Sequence, residues 1–250
     1  MSPVVRGRFR PVVLCYHAVS QTWQHQLAVE PAVLEGQVRY LLRRGYRPAR
    51  AQEVAAGRGK LLHVTFDDGF HNVSRAVEIL ERLGVRSTVF VCTSFAEDGR
   101  PFDGGNLAEE ASAYPEELAT MSWDDLRALV ERGVEVGSHT STHPRLSQLP
   151  DAELARELSE SKERLEDELG RSCPFLAYPY GDEDDRVRAA TRAAGYLGAF
   201  SLPGRPSPVA PFSLPRVGIY RGDKVRRAAM KCSVLGRYAA YARVAARYRR

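Results

Sequence analysis

Cysteine is scarce in this sequence, and its placement excludes one class of site. Four cysteines stand at 15, 92, 173 and 232, far apart and with no CxxC pair, so a cysteine-ligated zinc site is not expected. They read instead as buried free thiols in a reducing compartment. Long apolar runs are missing as well: none approaches the roughly 18 residues that a membrane-spanning helix needs. The opening MSPVVRGRFR is basic but lacks the following apolar stretch of a signal peptide. A cytoplasmic or membrane-peripheral location is therefore expected. Internal repeats, low-complexity segments and linkers are absent. Acidic residues vanish after Asp223: residues 224–250 hold nine Lys or Arg and no Asp or Glu. Nine exceeds the whole-chain net charge of +5, so the remainder is acidic on balance and the basic character belongs to the tail. Nothing beyond that charge supports nucleic-acid binding.

What is present is ordinary globular composition, 44% hydrophobic and 27% charged over 250 residues, enough for one sizeable core. Short β-rich apolar runs at 12–16, 61–66, 87–92, 134–137, 175–178, 198–201 and 217–220 predict strands. Between them, apolar residues at helical spacing predict helices over 31–44, 72–83, 123–132 and 151–169, the last three followed by Gly84, Gly133 and Gly170 as stops. Ser122 suits the cap of the third helix, and Trp123 reads as its packing anchor rather than a sugar platform. This alternation implies a mostly parallel sheet, open or closed into a barrel. Chemistry in such folds gathers at the carboxyl ends of the strands. The expected organisation is a main domain over 1–222 and a basic helical tail over 223–250.

Several predicted strands run directly into polar groups. Leu61-Leu62-His63-Val64-Thr65-Phe66 ends in Asp67-Asp68-Gly69; the glycine permits a bend that brings both carboxylates to one pocket. One would serve as metal ligand and the other as general base, against the bland alternative of an Asp-Asp-Gly turn. Val134-Glu135-Val136-Gly137-Ser138 leads to His139 and His143, which a helical turn would place on one face. Two imidazoles and a carboxylate make a ligand set with open positions; the alternative is a pair of surface histidines. Phe175-Leu176-Ala177 ends in Tyr178-Pro179-Tyr180-Gly181, where the Tyr180 N–H can point at an oxyanion, or the tyrosines can be plain wall residues. Finally, Val12-Val13-Leu14-Cys15-Tyr16 places His17 just after the first strand.

TFDDG, SHTSTH and YPYG, in this order and spacing, resemble the polysaccharide deacetylase family, also called the NodB-homology or carbohydrate esterase family 4 domain. The similarity runs from about Val12 to about Tyr220, and the leading Tyr16-His17 is most similar to the subgroup of poly-N-acetylglucosamine deacetylases. The resemblance implies a distorted (β/α) barrel of about seven parallel strands. It further implies a divalent metal, usually zinc, on Asp68, His139 and His143, with Asp67 as general base on water at the metal. The oxyanion would rest on the metal and on the Tyr180 N–H. Two departures stand out. The family's arginine two residues before the proline of the third motif is Ala177 here, and its late Leu-x-His is replaced by Leu214-Pro215-Arg216, with no histidine after His143. The subgroup's rotated strand order makes His17 the expected general acid, and Arg216 a candidate for the missing arginine against the alternative of a surface arginine.

The implied reaction is hydrolysis of N-acetyl groups on an amino-sugar polysaccharide or oligosaccharide. A related metal-dependent hydrolase of a non-polymeric amide, or a glycan-binding domain with a retained pocket, remain the alternatives. Residues 94–120 are polar and glycine-rich, fitting a lid or a surface loop. In the tail, Val234, Tyr238, Tyr241, Val244 and Tyr248 recur at helical spacing among arginines. A helix docked on the barrel is favoured over peripheral contact with anionic membrane or glycan.

Overall fold

The computed structural model describes residues 11–57, 59–203 and 210–247. Strand β1 (Val12–Tyr16) pairs in parallel with β2 (Leu61–Phe66). Parallel pairing continues through β3 (Ser87–Val91), β4 (Glu135–Ser138), β5 (Phe175–Ala177), β6 (Gly198–Ser201) and β7 (Leu214–Pro215). On the other side of β1 lies β8 (Val217–Gly218), again parallel. The outermost strands of the sheet are thus β7 and β8, and only Arg216 separates them in sequence. The two edges meet at this residue, and the sheet curls into a nearly closed barrel. A further two-residue strand, Arg47–Pro48, pairs with the start of β2 beside this path; setting it aside and counting β7 and β8 as halves of one strand gives the expected seven positions.

The sequence explains the layering. All six residues of β2 are buried, as a parallel strand covered on both faces requires. In β1 the side chains alternate. Val12, Leu14 and Tyr16 pack with Leu34, Val38 and Leu41 of helix α1 (Pro31–Arg43), while Val13 packs with Phe90, Ala177, Phe200 and Leu214. The first set forms the layer between strands and helices, and the second fills the barrel interior. His63 sits fully buried inside, bonded to Ala49 O and Thr88 Oγ1 at 2.8 Å each.

Helices α2 (Ser74–Arg82), α3 (Trp123–Glu131), α4 (Asp151–Leu169) and α5 (Asp185–Ala193) cover the outside. Ser122 caps α3 in a reciprocal box: its Oγ accepts from Asp125 N at 3.3 Å and Asp125 Oδ2 accepts from its N–H at 2.9 Å. Trp123 is buried beside it, as expected of an anchor. Helix α4 turns Leu154, Leu158 and Leu165 inward and stops at Gly170, whose φ of 60° is left-handed.

Helix α6 (Val225–Cys232) packs on α1 and adds Ala228 and Cys232 to the core. It is followed by α7 (Val234–Arg247). Of the apolar residues at helical spacing in the tail, Val234 and Tyr238 are exposed rather than packed on the barrel. Arg237, expected in solvent, donates to Pro11 O at 2.9 Å. Tyr248 lies outside the described residues. No helix among the described residues is long and apolar enough to cross a membrane.

Candidate active site

The carboxyl ends of the strands converge on a cavity of about 300 Å³. His17 follows β1, Asp67 and Asp68 follow β2, His139 follows β4 and Tyr180 follows β5. With His143 they all line this cavity. Arg216 stands behind Asp67, at the seam of the barrel. A larger cavity of about 430 Å³ opens at the opposite end of the strands, between Glu135, Leu165, Arg171 and Phe175. It contains none of these residues, so its size does not make it the site.

The route by which the two histidines meet differs from the expected helical turn. Residues 139–143 form no helix; Thr140 and His143 have φ of 70° and 64°, so the chain curls back as a loop. The ring centroids of His139 and His143 end 4.8 Å apart. Among the described residues, the non-glycine residues with positive φ are Asp68, Thr140, His143 and Tyr180. All four belong to the three motifs. Such conformations cost about 1–3 kcal/mol each for side chains of this kind and persist where the surroundings enforce them. Gly69 completes the bend after Asp68 with φ of 71°, where an added Cβ would lie 2.8 Å from Val91.

Asp68, His139 and His143 bring one ligand atom each within 4.8 Å of one another. Asp68 Oδ1 lies 3.5 Å from His139 Nε2 and 3.4 Å from His143 Nε2. This oxygen is buried without a hydrogen-bond partner, a costly state that a cation would relieve. The far nitrogens of both rings are occupied: His139 Nδ1 contacts Ala177 O at 2.7 Å and His143 Nδ1 contacts Tyr180 Oη at 3.2 Å. The Ala177 carbonyl makes His139 Nδ1 the donor, so its Nε2 lone pair faces the shared centre, and a His143 Nδ1–H donating to the Tyr180 hydroxyl would turn the second Nε2 lone pair the same way. Burial lowers the His143 pKa to about 4, against the pull of Asp68, so its ring is neutral at pH 7. His139 is also buried, yet Asp67 and Asp68 together raise its affinity for a proton. The residues therefore fit a divalent cation: two neutral-capable imidazoles, one carboxylate and a local preference for positive charge. Tyr180→Phe should then weaken divalent-cation affinity about tenfold, measured by competition with a chelating dye. Unchanged affinity would show that the phenol hydroxyl does not orient His143.

Asp67 is held differently. Arg216 Nη1 donates to its Oδ1 at 2.6 Å and Nη2 to its Oδ2 at 2.8 Å, a two-pronged grip between buried groups. Arg216 Nη1 also reaches Thr65 Oγ1 at 3.2 Å. Burial pushes the Asp67 carboxyl up, but Arg216 and then His139 pull it further down, so it stays well below the usual carboxylate range. Cys15 Sγ approaches Asp67 Oδ2 at 3.4 Å. This thiol is buried, as expected, and burial raises its pKa strongly, so it is a neutral neighbour. His17 stacks on Tyr220 with centroids 6.4 Å apart, and its Nδ1 is buried without a partner. At the third motif the turn is closed by Gly181 N–H to Tyr178 O and Asp182 N–H to Pro179 O, both 2.9 Å. Neither bond uses the Tyr180 N–H.

Three contributors were not singled out in the sequence. Tyr220 backs His17, Arg145 lies over the Tyr180 ring at 4.2 Å, and Phe102 with Gly104, Gly105 and Leu107 forms one wall. Only the last had a signal, the glycine pair within the segment 94–120. That segment is an ordered wall carrying short helices at Thr93–Ala96, Ala108–Ala113 and Pro115–Leu118.

A nearly closed parallel barrel with acid–histidine motifs at its carboxyl end defines an α/β barrel with a candidate metal-hydrolase site. A family model described as polysaccharide deacetylase matches residues 55–199. The chain belongs to this family, of the NodB-homology, carbohydrate esterase family 4 type. The protein YxkH of Bacillus subtilis is 23% identical over 204 residues, covering 78% of this chain and 66% of its own. The chain thus spans just under two thirds of that relative. The solved structure of BC0361, a polysaccharide deacetylase from Bacillus cereus, is 25% identical with a TM-score of 0.73, covering 89% of this chain and 69% of that one. IcaB from Ammonifex degensii shares the fold at 24% identity and a TM-score of 0.68, over 91% of this chain and 98% of its own. The family match leaves out His17 and Arg216, so their place beside Asp67 rests on the geometry described above.

Proposed function

We propose that this protein hydrolyses N-acetyl groups on an amino-sugar glycan and depends on a divalent metal, with zinc the first candidate. The observation that carries this reading is the pairing, in one cavity, of the Asp68–His139–His143 cluster with an Asp67 gripped by Arg216. When bound by that cluster, a divalent cation supplies Lewis-acid polarisation of the acetamide carbonyl and makes nearby water more acidic. The remaining work falls to the chain. Asp67, kept ionised and oriented by Arg216, accepts the proton of the attacking water. The Tyr180 N–H stabilises the oxygen that gains charge. His17, which lines the same cavity, donates a proton to the amine as the C–N bond breaks. The products are acetate and a free amino sugar.

Residues 1–222 carry the chemistry, and 223–250 supply the basic helical part. Acetate release from partly acetylated glucosamine oligomers should be measurable with metal, abolished by chelator and restored by readdition. Metal-independent release, or none with any divalent cation, would remove this reading.

A further inference from the structure

Helix α6 descends the barrel wall from Asp223 and ends near the amino-terminal side, where Arg237 of α7 meets Pro11 just ahead of β1. This is the end of the barrel opposite the candidate active site. The corner between the two helices is tight. Ser233 Oγ accepts from Gly236 N at 3.0 Å, and a Cβ on Gly236 would fall 2.1 Å from Met230 O. On either side of this corner stand Met230, Val234, Leu235 and Tyr238, which are 64%, 43%, 83% and 48% exposed. These four are the majority of the large apolar side chains left exposed among the described residues. Single exposed apolar residues are ordinary, whereas a cluster on a soluble surface marks a contact.

Charge identifies the partner. Arg226 is exposed one turn before Met230 on the adjoining helix, Lys224 and Arg227 beside it are exposed while paired with Glu30 and Asp223, and the stretch from 224 to 250 has no acidic residue. Apolar anchors flanked by basic residues on a helix fit an interfacial element, with side chains entering the acyl boundary and cations meeting lipid phosphates. We infer that the α6–α7 corner is a membrane-surface element that seats the protein on an anionic lipid bilayer. Its position leaves the catalytic mouth directed away from the lipid.

The full chain should sediment with vesicles of mixed phosphatidylcholine and phosphatidylglycerol, but not with phosphatidylcholine alone. High salt should reduce the bound fraction. The double variant Leu235→Asp/Tyr238→Asp should bind the mixed vesicles about tenfold more weakly with unchanged thermal stability, because both side chains are exposed. The inference is overturned if the wild type stays in the supernatant with anionic vesicles. Equal sedimentation of wild type and variant also overturns it. So does light scattering that shows a dimer which the same variant dissociates, since a second copy would then be the occupant. Neither residue belongs to the catalytic cluster, so the result is independent of the proposed reaction.

Discussion

Arg216→Met should destabilise the protein by about 3–5 kcal/mol, because it strands a buried carboxylate that had both oxygens paired. Urea denaturation at pH 7 measures this directly. The acid dependence should change as well. In the wild type the Asp67 pKa is depressed below its unfolded value of about 3.9, so the ion pair stabilises above that value. That stabilisation fades as pH falls below about 4 toward the lower native pKa. Without Arg216, burial dominates and raises the native pKa. The variant then loses stability as pH rises above about 4, the opposite slope. Adding Asp67→Asn to Arg216→Met removes the stranded charge and should recover much of the loss. A double variant as unstable as Arg216→Met would mean that the arginine acts through packing rather than through its pair.

Asp67→Asn should lower turnover of an acetylated glucosamine oligomer by about 10²–10⁴-fold, the usual worth of a positioned base. Asparagine preserves the shape but cannot take a proton. Cation affinity should survive, because Asp67 is not part of the Asp68–His139–His143 cluster. Dye competition and acetate release on one preparation separate the two outcomes. Near-normal turnover would assign the base elsewhere, and lost cation affinity would make Asp67 a ligand. His17→Ala is the companion variant: it should also lose rate while keeping the cation.

Much of the fold and of the placement of the candidate site is legible in the sequence. Strand runs such as Leu61–Phe66 are buried on both faces, and that leaves a continuous apolar signature with an abrupt polar end. The ends located Asp67, Asp68, His139 and Tyr180 because the parallel topology fixes where polar residues go. Arg216 was harder to read. Its flanking strands are two residues each, too short for periodicity, and its partner lies 149 positions away. The histidine geometry failed for a local reason. Spacing of four suits a helix, but left-handed Thr140 and His143 achieve the same meeting by a different path, which tertiary packing enforces. Val234 and Tyr238 share a periodicity that describes a helix correctly and says nothing about what covers it.

The seam at Arg216 ties closure of the barrel to the state of Asp67. A chain whose last strands have not yet come home to β1 lacks the cation that holds Asp67 ionised and aimed. On the proposed mechanism, partly assembled forms would then be chemically silent, and the appearance of turnover during refolding should coincide with circularisation of the sheet.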